Sequence, residues 1–476
     1  MGIQQVIVLE MINPTLQPVP AQKPTPDGTT ASATIVRSSH TERNGMNKKV
    51  LSVLLGAALM VGATACGADS SNNSDLRQNE NAKTTISVFT WGYPAEKQAR
   101  EQQAQLYMDT HPDINVKIEV SPDYDRKLAT MLSSNNGPDV FEVSDDWFHL
   151  WKDQLVDLKQ YSDRDGLNLD TLFAERALQG YWTPEGKLEG MPIGLCPFVM
   201  AVNTDLFKSA GVEVPTGKWT WDEVLAAAQK ITKGDGADKV YGMSDSWVYD
   251  QTMPFYFGGD YYNEDKTKVT INQPESVKGF QFWSDLMHKH KVMPDFDAAA
   301  GVQGNQRFFS GKAGMAPINM WDIQDFVSQI GDSFNWDLVS MPTEASSGLT
   351  PVWSIVEGYG IWQGSKQKDA AWDYIKWATT DPASLKLSSI AAIPMTPEGM
   401  NLVVGQDFGK KLNLQKFVDA VPNAILTLPG GAFSEVSDAV NENLNSIKKG
   451  GDVKTALDKA AADAQPVLDR IWKSKK

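Results

Sequence analysis

Three places in this chain set aromatic rings and carboxylates at the end of a short apolar run. Trp91-Gly92-Tyr93 follows Ile86-Ser87-Val88-Phe89, Tyr124 follows the run at 115–120, and Asp145-Asp146-Trp147 follows the run at 140–143. Rings offer flat apolar faces. Carboxylates accept charge-assisted hydrogen bonds of about 1.5–3 kcal/mol each. Such a set can hold a molecule without breaking a bond in it. The motifs of bond-breaking chemistry are missing: there is no Gly-x-Ser-x-Gly elbow, no His-Glu-x-x-His and no Gly-x-x-x-x-Gly-Lys-Ser/Thr loop. The adjacent Asp145 and Asp146 cannot flank one glycosidic bond from opposite sides, as a glycoside hydrolase requires. Asp163-Arg164-Asp165-Gly166 hints at a calcium loop, but the glycine comes too early and Ala174 stands where a bidentate Glu belongs. His288 and His290 are two apart on an expected helix and point to different faces. No enzyme, metal or cofactor is expected.

The elements that must carry these residues alternate. A strand at 86–89, a helix at 95–109, a strand at 115–120, a helix at 124–133 and a strand at 140–143 predict βαβ units and a mostly parallel sheet. In such sheets ligands sit beyond the carboxyl ends of the strands, where the three sets lie. Farther on come a strand at 199–203 and a short helix at 206–211. Thr220-Trp221-Asp222-Glu223 is a capping box that opens a helix running to about residue 233. Helices follow at 276–291, 368–378, 436–447 and 453–472, with a strand at 315–318. Pro466 predicts a kink or break in the last helix.

Composition sets the outer limits. The net charge of −15 argues against nucleic acid and against a basic membrane-docking face. The ~390 residues after the N-terminal segment are too many for one core, so two lobes are expected. Residues 1–45 are rich in Pro, Thr and Ser and show no apolar periodicity, which predicts disorder. Met46-Asn47-Lys48-Lys49, an apolar run at 50–64 and Ala65-Cys66-Gly67 then read as a secretory signal peptide, which makes Met46 the expected initiator and 1–45 an upstream mis-start. Ala63-Thr64-Ala65-Cys66 resembles a bacterial lipobox, which implies a lipid on Cys66 and a signal peptide over 46–65. The Ser/Asn/Asp-rich stretch to residue 83 is the expected tether. Cys196 then has no partner and reads as a buried, inert thiol.

The middle of the chain carries a resemblance. Gly190-Met191-Pro192-Ile193, Val202-Asn203-Thr204-Asp205-Leu206-Phe207, Ala210-Gly211-Val212 and Trp219-Thr220-Trp221-Asp222-Glu223 are similar to the signature of family 1 extracellular solute-binding proteins. Gly137-Pro138-Asp139-Val140 and Phe309-Ser310-Gly311-Lys312-Ala313-Gly314-Met315-Ala316 fit the same family, with Gly314 where Ala is usual. Order and spacing cover essentially everything from 84 to 473. The resemblance implies an α/β, two-lobed periplasmic-binding-protein type II fold with a hinge: one lobe of 84–195 with 358–405, the other of 199–352 with 410–474. It implies the extracytoplasmic, lipid-anchored capture subunit of an ABC importer, monomeric, which binds a small molecule and passes it to transmembrane permease subunits.

Carbohydrate is the ligand class it implies. Aromatic rings stack on sugar faces while carboxylates bond the hydroxyl rim. On that basis Trp91, Tyr93, Tyr124, Asp145 and Asp146 are candidates from one lobe, and Trp247, Tyr249, Trp321 and Phe433 from the other. Trp353, Glu357 and Tyr359 sit near a crossing segment. Trp219, Trp283, Trp336, Trp372, Trp377 and Trp472 are read as core. A polyamine would favour several converging carboxylates, and glycerol phosphate would need Arg or Lys at the strand exits.

Overall fold

The computed structural model describes residues 76–474, apart from 93, 145–150, 152–153, 174, 184–185, 264–265, 300–301, 303, 345–351 and 426–433. The expected signal peptide, Cys66, most of the expected tether, Tyr93, Asp145, Asp146 and Phe433 lie outside the described residues, as do the side chains of Trp247 and Trp353.

The β-branched and aromatic run of β1 (Thr84–Trp91) buries Ile86, Val88 and Phe89. It pairs in parallel with β2 (Ile114–Ser121) and β3 (Val140–Ser144), and the crossovers are α1 (Pro94–Thr110) and α2 (Tyr124–Ser133). The Gly-Pro-Asp turn before β3 is clipped to its neighbours by one carboxylate. Asp139 accepts from the Ser87 amide and hydroxyl, both at 2.8 Å, and from the Ser365 hydroxyl at 2.6 Å. Gly137 is needed there because a Cβ would stand 2.8 Å from both Leu132 and Trp362.

Along the chain follow β4 (Met191–Pro197), the single residue Phe198, β5 (Val199–Asn203), β6 (Tyr241–Met243), β7 (Ala313–Ile318), β8 (Trp336–Val339), β9 (Val352–Ile361) and β10 (Ala424–Ile425). The first sheet runs β10-β9-β3-β1-β2, with β4 also paired to β9; the second runs β6-β7-β5-β8. Both are mixed, where mostly parallel strands were expected. β9 is antiparallel to β3 and β4, and β5 is antiparallel to β7 and β8. The physical reason is connection: these strands arrive as crossings or returns and not through helical βαβ loops.

Two hydrophobic cores result, one around Phe141, Tyr181 and Trp372, the other around Phe207, Trp221 and Phe280. β4 and β5 belong to different sheets yet are separated only by Phe198. β9 begins in the second core at Val352 and ends in the first at Ile361. Between residues 393 and 403 the chain touches both cores, Ile393 and Val403 packing in the second and Met395 in the first. The capping box forms as read: the Thr220 amide donates to Glu223 at 2.7 Å and the Glu223 amide to the Thr220 hydroxyl at 3.2 Å. Pro466 does not end its helix, which is continuous over Val453–Ser474. Apolar packing of Leu457, Ala460, Ala464 and Leu468 holds the turns on both sides of the proline. Among the described residues no helix is long and apolar enough to cross a membrane.

Candidate ligand-binding site

Trp91 ends β1, Glu142, Val143 and Ser144 end β3, and Tyr124 and Asp125 open α2, all at the carboxyl end of the parallel strands of the first sheet. Ile355 and Glu357 on β9, together with Trp151, complete that side. From the other core comes Trp321. These ten residues line one cavity of about 190 Å³.

Trp321 is placed by the turn that leaves β7. Asn319 caps the short 3-10 turn Met320–Asp322, its carbonyl oxygen accepting from the Met320 amide at 2.6 Å. Its amide group donates to the Cys196 carbonyl on β4 at 2.8 Å, which ties the turn to the crossing strand. The Trp321 ring stands edge-on to Phe198, the residue between the sheets, at 5.9 Å. Cys196 itself is fully buried and free, and its thiol is pushed up by burial.

Carboxylates gather on the first-lobe side. Glu142 and Glu357 are buried, and so is Arg100 of α1, which reaches Glu357 at 3.8 Å and lies 5.8 Å from the centre of the Tyr359 ring. Burial, and then the neighbouring Glu357, push the Glu142 carboxyl well above the usual carboxylate range, against the pull of Arg100. Glu142 accepts from the Trp91 amide, while its Oε2 has no hydrogen-bond partner among the described residues. Burial pushes the half-buried Asp125 up to about 6. No group of three or more His, Cys, Asp or Glu among the described residues is arranged to hold a metal ion.

Of the residues named from sequence, Trp91, Tyr124, Trp321 and Glu357 line this cavity together. Tyr124 does so with its hydroxyl already committed, donating to the Glu142 carbonyl, and with its ring stacked on Phe89 at 4.8 Å. Two assignments need correction. Tyr249 is fully buried in the second core, edge-on to Trp221 at 6.5 Å, with its hydroxyl against the Met200 sulfur. Tyr359 is fully buried in the first core beneath Arg100. Both rings point inward on their elements, so closeness in sequence to the site does not bring them to it. Sequence reasoning missed Asp125, Glu142 and Trp151. The signal for Glu142 was present: a lone charge inside Val140-Phe141-Glu142-Val143 breaks an otherwise apolar interior strand.

A larger cavity of about 660 Å³ lies in the second lobe, bordered by Asp245, Trp283, Phe296, Asn305, Asp322 and Lys448 among others. It shares the Met320–Asp322 turn with the smaller one but draws all its lining from one core. The smaller cavity is the candidate site because it joins residues of both.

The model of the bacterial extracellular solute-binding protein family matches residues 90–384, more than half of the chain. The chain belongs to that family. Its relatives include the maltotriose-binding protein of Pyrococcus abyssi, 24% identical over 394 residues, covering 77% of this chain and 78% of that one. The sn-glycerol-3-phosphate-binding periplasmic protein UgpB of Escherichia coli strain K12 is 21% identical over 430 residues, 83% of this chain and 95% of its own. Among solved structures, an ABC substrate-binding protein of Listeria monocytogenes in complex with cycloalternan superposes with a TM-score of 0.71 at 24% identity, over 83% of this chain and 99% of that one. Such likeness fits the two-lobed α/β fold of this family member and its role in solute binding.

Proposed function

We propose that this family member captures a carbohydrate between its lobes and delivers it to the permease of an ABC importer, held by a lipid on Cys66 at the extracytoplasmic face. One observation carries the reading: three tryptophans, Trp91 and Trp151 from one lobe and Trp321 from the other, share a single cavity with Asp125, Glu142 and Glu357. Rings for sugar faces and carboxylates for hydroxyls then meet on one ligand. The relatives named for maltotriose and cycloalternan support the same class. A ligand touching both lobes binds the closed form better than the open one, and that difference in affinity is what closes the hinge. The role is capture by a monomer, without catalysis.

A glycerol phosphate ligand, as in the UgpB relatives, fits the site less well. No Lys or Arg is among the described lining residues, and three carboxylates would repel a phosphate. A thermal-shift screen of neutral and charged sugars, sn-glycerol 3-phosphate and spermidine tests the reading. A ligand at 100 times its dissociation constant stabilises by about 2.7 kcal/mol. A shift with sugars alone supports carbohydrate, and a shift with glycerol phosphate alone overturns it. For the anchor, Cys66→Ser should release the protein from membranes or leave it unprocessed; unaltered attachment with normal processing removes the lipid from the account.

A further inference from the structure

We propose that Asn319 is the positioning residue that sets where Trp321 stands in the smaller cavity and ties that ring to the strand crossing between the lobes, an inference that rests on the reading of Trp321 as a ligand contact. Val199 of β5 pairs with Ile318 of β7, and Met200 with Pro317, so the same register continued outward would set Trp321 opposite Cys196. The chain turns instead at Asn319, and the ladder ends there. The Asn319 side chain makes the connection in its place. Its amide group donates to the Cys196 carbonyl at 2.8 Å, while its oxygen accepts from the Met320 amide at 2.6 Å. The residue is fully buried, so water does not stand in for either bond.

The anchor point is where the crossing segments meet. Cys196 pairs with Ile355 of β9, which itself lines the cavity. Its neighbour Leu195 exchanges two backbone hydrogen bonds with Ile393, at 2.8 and 2.9 Å. Gly194 sits close against the same segment, where a Cβ would stand 2.6 Å from that of Ala392. β4 is therefore fixed to both other crossing segments at 194–196. The turn is closed on its own side as well. Asp322 accepts from the Asn319 amide at 3.1 Å and from the Trp321 side chain, and Phe198 meets the ring edge-on at 5.9 Å. One buried side chain thus bonds to both parts. Bending at the crossings moves Cys196, and through Asn319 it moves the turn that bears the ring.

Asn319→Ser separates the two bonds, because serine caps a helical turn about as well as asparagine but is too short to reach the strand. The full-length protein, labelled with 5-fluorotryptophan and free of ligand, gives the first measurement. The fluorine signal that Trp321→Phe removes should shift or broaden in Asn319→Ser, while those of Trp221 and Trp336, buried in the second core, stay in place. An unmoved Trp321 signal overturns the inference. Movement of all three signals also overturns it and makes Asn319 an ordinary core residue. Should the serine variant fail to fold, Asn319→Asp, which keeps the length and the cap but loses the donor amide, takes its place. Titration with maltotriose, cellobiose and diacetylchitobiose then connects the ring to binding. Whichever sugar binds the parent should bind Asn319→Ser at least five-fold more weakly, and that loss should vanish in a Trp321→Ala background. An undiminished loss without Trp321, or no loss at all, overturns the inference. Binding of none of the three to the parent counts against the carbohydrate reading, and the fluorine signals alone then decide this inference.

Discussion

Around Arg100 the first lobe gathers Glu96, Glu142, Glu357 and Tyr359, whereas around Trp221 the second lobe gathers Tyr249, Tyr256, Phe257 and Phe282, with ring centroids 5.3–6.5 Å away. The first arrangement buries four ionisable groups around one guanidinium, and two of them, Glu142 and Glu357, line the smaller cavity. The second is a cluster of packed rings, none of which lines the smaller cavity. Among the described residues, the first lobe brings the carboxylates to the cavity and the second brings the ring of Trp321. Affinity and stability should separate along that line.

The sharpest test of the separation is Tyr249→Ala. Removing a fully buried ring from the second core should cost about 3–5 kcal/mol of unfolding free energy by denaturant titration. The fraction that remains folded should bind normally. A loss of affinity with unchanged stability would place Tyr249 in the site and erase the contrast between the lobes.

Trp321→Ala should do the opposite. Binding should weaken by about 2 kcal/mol, roughly thirty-fold, while the melting temperature of the ligand-free protein stays nearly constant. Trp321 is half-buried and meets Phe198 edge-on, so a sharp fall in ligand-free stability would make it a core residue.

Asp139→Ala probes the first lobe away from the cavity. It removes the acceptor of three hydrogen bonds from Ser87 and Ser365 and should cost about 1–3 kcal/mol of stability. Ligand affinity should hold. Weaker binding instead would mean that the turn before β3 positions the strand end carrying Glu142.

The effect that depends on pH is expected from Asp322→Asn. Burial pushes this carboxyl up to about 7 in the folded state, from an ordinary value near 3.8. A raised acid stabilises the fold fully below its unfolded value, and that contribution is lost as pH rises through the folded one. The variant should therefore match the parent near pH 4 and melt at a higher temperature above pH 7. A constant difference across that window would mean that the carboxyl titrates normally.

Much of the fold was legible in the sequence because its signals are local. The 3.6-residue spacing gave α2, Thr220 and Glu223 gave a helix start, and apolar runs gave β1, β2 and β3 within two residues of their ends. Pairing was less legible, since β9 meets β3 through residues far apart in the chain and no local pattern encodes its antiparallel sense. At the site, rings at strand exits were visible as rings, but whether each faces core or cavity depends on packing. That is why Trp321 and Trp91 line the cavity while Tyr249 and Tyr359 do not. Glu142 was visible as a lone charge in an apolar strand, but that it lines the cavity depends on neighbours far away in the chain, such as Glu357 and Trp321.

β3 also bears on how the molecule is made. Val140 pairs with Ile361, so one edge of the first sheet stays bare until the ribosome has added more than two hundred further residues. At roughly 5–20 residues per second that is a delay of about 10–40 s, during which the first lobe cannot close. Contacts so distant along the chain also slow the search once synthesis ends. The first sheet is therefore completed only after about three-quarters of the chain has been made.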